Sequence, residues 1–94
     1  MTEINLETKL ARNDAILFSD VADGTTLMDI DSGEYFHYEA VGARIWDLID
    51  GQRTVAEICT ALQEEFEVDG ATCQTDTLAF LSRLSELKHV GLSE

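Results

Sequence analysis

The chain contains no proline. That excludes a proline-rich linker or a polyproline segment made to dock in an aromatic groove. Positive charge is nearly as scarce: six Lys and Arg stand against nineteen Asp and Glu, a formal net charge of −13. Between Asn13 and Ala43 there is no Lys or Arg at all, whereas Asp14, Asp20, Asp23, Asp29, Asp31, Glu34 and Glu39 are acidic. A surface of this sign repels phosphate backbones and anionic lipid, and it favours basic peptides and cationic protein surfaces. Neither nucleic acid nor a membrane is therefore expected as a partner. No run reaches the roughly 18 apolar residues of a membrane span. No basic stretch precedes an apolar core near Met1, so a cytoplasmic location is expected. Cysteine occurs only twice, at Cys59 and Cys73, without the CxxC spacing of a redox or zinc site. Reduced, partly buried thiols are the expectation.

What the chain does hold is enough for one core. Its 94 residues are 45% hydrophobic, the size and content of a single small domain. Residues 1–13 show little periodicity and read as a loose arm; 14–92 read as the domain proper. Ala15 to Val21 is strand-like, Ala22-Asp23-Gly24 is a turn signal, and Thr25 to Asp31 alternates as a second strand. Ser32-Gly33 marks another turn before a third strand, Glu34 to Tyr38. Links this short force antiparallel neighbours, a three-stranded meander.

From Val41 the period lengthens to about 3.6. Val41, Ile45, Leu48 and Ile49 share a helical stripe, with Trp46 on its shoulder, and Asp50-Gly51 ends the helix. Thr54-Val55-Ala56-Glu57 has the form of a capping box, opening a second helix with Val55, Ile58, Leu62 and Phe66 at helical spacing. Asp69-Gly70 breaks it, and Thr72 or a neighbour caps a third helix that Gly91 stops. In that helix Phe80, Leu84 and Leu87 are expected to form the buried stripe, leaving Thr77, Leu81, Arg83 and Lys88 among candidates for a groove or its rim. The order is β-β-β-α-α-α, an α+β fold with one sheet face covered by helices and an edge strand left to explain.

Catalysis finds little support. His37 and His89 lie on different elements with no Cys or His at ligand spacing, and neither cysteine sits in a strand-to-helix elbow. The six glycines are scattered at turns and helix ends and cradle no phosphate. Gly42, inside the first helix, reads as a close-packing position against the sheet. No enzyme activity, cofactor or metal is expected.

Two segments resemble a known family. They are "GEYFHYEAVGARIWDLIDGQRTVAEICTALQEEF" and "DTLAFLSRLSELKHVGL". Their features are Tyr35 before a helix containing "GARIW", the "DG-x-x-TV-x-EI" junction from Asp50 to Ile58, and the "D-x-x-x-FL-x-x-L" register from Asp76 to Leu84. These resemble the PqqD-like family, also called RiPP recognition elements, over roughly Asp14 to Leu92. The resemblance implies a winged helix-turn-helix-like domain without catalysis. Such a domain binds the leader segment of a ribosomally made precursor peptide and presents it to a modifying enzyme such as a leader peptidase, cyclase or radical SAM enzyme. It further implies that the leader adds a strand to the third strand and rests in a cleft lined by the third helix. Carried onto this chain, the peptide-binding set is Glu34, Tyr35, Phe36, His37 and Tyr38 with Asp76, Thr77, Phe80, Leu81, Leu84 and Lys88.

The residues agree independently with that mode. A strand with a free edge offers backbone donors and acceptors, and Tyr35, Phe36 and Tyr38 offer contact area. Which parity of this strand faces inward is left open by the sequence. The chain departs from the family pattern where Tyr38 and Glu39 replace a common leucine-asparagine pair. It also lacks the apolar-Pro-Glu segment of the quinone-cofactor branch, which favours a stand-alone recognition protein of a lasso-peptide or related pathway. Two rivals remain: an acyl-carrier-like acidic protein, and a winged-helix interaction or regulatory domain. A carrier needs a serine at a helix start, whereas Ser32 follows Asp31 between two strands.

Overall fold

A computed structural model describes residues 4–21 and 24–93. The turn signal at Ala22-Asp23 falls outside them. The elements are β1 (Leu10–Arg12), β2 (Ile16–Val21), β3 (Gly24–Asp29), β4 (Tyr35–Glu39), α1 (Ala40–Leu48), α2 (Val55–Glu65), α3 (Gly70–Glu86) and β5 (Val90–Leu92). Strands β2, β3 and β4 form the antiparallel meander in that order. Its register places Phe18, Leu27 and Phe36 in one row and Leu17, Met28 and Tyr35 in the next. Side chains alternate across the pleat, so the first row faces the helices and the second faces away. Leu27, at the sheet centre, is fully buried.

A close approach fixes the identity of Gly24. A Cβ there would lie 2.0 Å from the Tyr38 carbonyl oxygen, so any other residue would push β4 away from β3. The chain then turns into α1 through Ala40, a non-glycine residue at φ 49°. Trp46 of α1 is fully buried rather than on the helix shoulder. Its ring meets Phe18 edge-on at 5.8 Å, and the Arg12 guanidinium lies over both rings. Ala43, Ile45, Leu48 and Ile49 complete this part of the core. A Cβ on Gly42 would lie 3.4 Å from the Tyr38 Cβ and 3.6 Å from the Phe80 ring, so the helix packs closely here, the role expected of this glycine.

The capping box of α2 forms as read. Glu57 N–H donates to Thr54 Oγ1 at 3.2 Å, and Thr54 N–H donates to Glu57 Oε1 at 2.9 Å. Helix α3 is capped by Asp69, whose carboxylate accepts from Thr72 N–H at 3.1 Å. Gly91 does not stop it. The helix ends at Glu86 in a Schellman arrangement: His89 N–H donates to Leu84 C=O, Lys88 N–H donates to Ser85 C=O, and Lys88 takes φ 63°. Gly91 lies in β5 instead.

Of the segment read as a loose arm, the described part from Ile4 onward is largely docked. Leu10–Arg12 pairs antiparallel with Val90–Leu92, Leu10 opposite Leu92. Val55 and Ala56 N–H donate to Thr8 and Leu6 carbonyls, and Gly51 N–H donates to Leu10 C=O. Leu10 itself is buried in the core. Backbone groups that would otherwise be unpaired at the α1–α2 connection thus find partners in the N-terminal segment. Both cysteines are free and buried, and burial pushes the Cys59 thiol up from its ordinary value.

Candidate functional site

The site is built around the second edge of the meander. Strand β4 pairs with β3 on one side, and no described strand pairs with its other side. The direction of its backbone groups follows from one bond. Asp29 N–H donates to Glu34 C=O at 2.9 Å, directly across the register, so this is a hydrogen-bonded pair. Antiparallel ladders alternate such pairs with pairs whose groups point outward. Phe36 and Tyr38 therefore spend their N–H and C=O groups on β3. Tyr35 and His37 direct theirs to the free edge.

The side chains run the other way. Phe36 and Tyr38 point to the helices, which settles the parity the sequence left open. The Phe36 ring meets the His89 ring edge-on at 4.7 Å, and the Tyr38 ring meets Phe80 of α3 edge-on at 5.0 Å. Tyr35 is 71% exposed on the opposite face. His37 is also on that face, its Nδ1 3.0 Å from Thr26 Oγ1 and its Nε2 3.3 Å from Glu39. Glu34 is exposed at the mouth of the β3–β4 turn. Burial pushes the Tyr38 hydroxyl pKa up, opposed by the nearby Arg83 guanidinium, so Tyr38 stays a neutral donor beside a cation.

On the α3 side the expected residues separate. Cys73, Thr77, Leu81 and Leu84 form the buried stripe of the helix. Leu81 and Leu84 are fully buried core residues, so neither lines an open groove. Thr77 and Leu81, expected at the groove or its rim, are buried instead, whereas Phe80 and Leu87, expected in the buried stripe, are only half-buried, because the helix turns the Cys73–Thr77–Leu81–Leu84 face inward. Lys88 is exposed beyond the helix end, its carbonyl bound by the Asn13 amide at 2.7 Å, and it borders β1 and β5. Asp76, Thr77 and Phe80 do come together. With Val41, Gly42 and Phe66 they line an apolar cavity of about 290 Å³ between the three helices. Phe80 lines that cavity and also meets the Tyr38 ring, so one side chain joins the cavity wall to β4.

Residues 24–90 match the profile of the family described as coenzyme PQQ synthesis protein D (PqqD). The chain belongs to the PqqD family. No curated protein matches it. Among solved structures, TbiB1 in complex with the TbiA(beta) leader peptide superposes with a TM-score of 0.79 at 31% identity, covering 85% of this chain and 93% of that one. A lasso peptide synthetase B1 complexed with the leader peptide gives the same TM-score at 23% identity, covering 88% and 98%. The latter likeness concerns the fold. This PqqD-family chain thus has the three-stranded antiparallel sheet and three helices of these proteins, together with the β1–β5 pair.

Ser32, the only residue with a carrier-like neighbour, lies in the β3–β4 turn, where its Oγ accepts from Glu34 N–H. Among the described residues no His, Cys, Asp and Glu gather into a group that could hold a metal, and no helix is long and apolar enough to cross a membrane.

Proposed function

We propose that this protein binds the leader segment of a ribosomally made precursor peptide and presents it to a modifying enzyme, without catalysis of its own. The carrying observation is the edge of β4 that no described strand pairs with, in a chain of the PqqD family. The leader extends the sheet along Tyr35 and His37, whose outward backbone groups supply the ladder bonds. Alternate leader side chains then turn inward over Phe36, Tyr38 and Phe80, and an apolar one reaches the cavity behind Phe80. Arg83 lies near Tyr38 and would put a positive charge beside the leader. The likeness to TbiB1 and to a lasso peptide synthetase B1, both held with leader peptides, supports a lasso-peptide or related pathway.

Titration of a fluorescently labelled leader peptide from the associated precursor tests this. Saturable binding is expected. His37→Pro removes an N–H that points to the free edge, so it should weaken binding about tenfold or more, with the melting temperature little changed. Absence of saturable binding, or equal binding by the His37→Pro variant, would overturn the strand-addition reading.

A further inference from the structure

The sheet has a second apolar surface that the leader site does not use. Leu17, Met28 and Tyr35 form one row across the outer face of β2, β3 and β4. Ile30 continues it past the end of β3, where its N–H binds Ala15 C=O. Leu17 is 52% exposed, Ile30 53% and Tyr35 71%. Leu17, Met28 and Tyr35 also border a shallow hollow of about 210 Å³ floored by Ser19 and Thr26. No described element packs over this face. Single exposed apolar side chains are ordinary, but a contiguous row on a flat sheet marks an interaction surface.

The charge around the row says what covers it. The whole sheet lies within the stretch from Asn13 to Ala43 that has no Lys or Arg, and Asp14, Asp31, Glu34 and Glu39 are exposed around it. The bases sit elsewhere: Arg44 pairs with Glu65, Arg53 pairs with Asp50, and Arg12 binds the Ile49 carbonyl. A second copy of the chain would bring the same acids together and be repelled. We propose that the outer sheet face docks a protein whose apolar patch is rimmed by Lys and Arg, and that this protein is the enzyme that acts on the presented peptide.

Naming that enzyme rests on the leader-binding reading; the surface itself does not. A strand added beside β4 would prolong the outer face past Tyr35. A partner seated there therefore touches the recognition domain and its guest together. Edge and face can be occupied at once, because the first uses backbone groups and the second uses side chains of the opposite parity.

The test uses the full chain with a purified leader peptidase and a purified cyclase of the same pathway, each measured by biolayer interferometry with and without leader peptide. One of the two should bind, with an association rate that falls about tenfold between low and high salt. The double variant Leu17→Lys with Ile30→Lys should weaken that binding about tenfold or more while leader affinity and melting temperature stay unchanged. Equal enzyme binding by the variant overturns the proposal. So does the absence of binding to either enzyme, or a wild-type dimer that the variant converts to monomer. Loss of leader binding with enzyme binding retained would sink the leader reading and leave the docking face standing.

Discussion

Lys88 holds a conformation that favours glycine. At φ 63° it occupies the left-handed position of the Schellman turn after α3, where a side chain costs about 1–2 kcal/mol. Glycine there removes that strain but loses more entropy on folding, by about 0.5–1 kcal/mol. Lys88→Gly should therefore stabilise the fold by roughly 0.5–1 kcal/mol, read as a higher urea midpoint with unchanged slope. His89, one residue on, acts through pH. Its ring is buried, and neither nitrogen has a hydrogen-bond partner among the described residues. Burial pushes its pKa below the ordinary 6.5, although Asp29 and Glu34 pull the other way. The unfolded chain then takes up a proton that the folded chain refuses. Stability should be full above pH 6.5 and fall as the pH drops through and below that value. Urea midpoints across this range should slope for the wild type and flatten for His89→Phe. Asp50 and Glu57, held low by backbone N–H groups, lose their contribution only in a more acid window, below their ordinary values of 3.8 and 4.5.

At the scale of the element, β4 separates two substitutions that look alike. Phe36→Pro would remove a donor to β3 and an inward ring packed on His89, so it should unfold the meander, seen as loss of a cooperative melt. His37→Pro touches only the free edge. The distinction comes from ladder phase, which a single strand cannot reveal; the Asp29–Glu34 bond supplies it. The meander and the three helices were legible, because period 2 gives way to period 3.6 and turn residues punctuate both. The phase of α3 was not. Leu78, Phe80, Leu81, Leu84 and Leu87 permit two stripes, and the one taken is set by Cys73 and Thr77, residues that an apolar pattern does not count. Strands β1 and β5 were also missed. Three residues carry no period, and their pairing joins the two ends of the sequence.

For the whole molecule, the uneven charge was plain in the sequence, but its meaning needed the fold. The base-free stretch turns out to hold the entire three-stranded sheet, so no Lys or Arg of the sheet itself offsets its acids. Attraction of a basic partner should therefore weaken with salt. The strand and the helix proposed for the site were legible as elements. Which side chains line it was not, since that depends on packing between segments some forty residues apart.

The pairing of Leu10 with Leu92 has a consequence for engineering. The chain enters β1 and leaves β5 side by side, so the domain, with the docked residues before β1 kept on a linker, can be spliced into a surface loop of another protein. A copy inserted that way, through short flexible linkers, should melt within a few degrees of the free domain. Recognition would then travel as a cassette, covalently tethered at a high effective concentration to whatever enzyme hosts it.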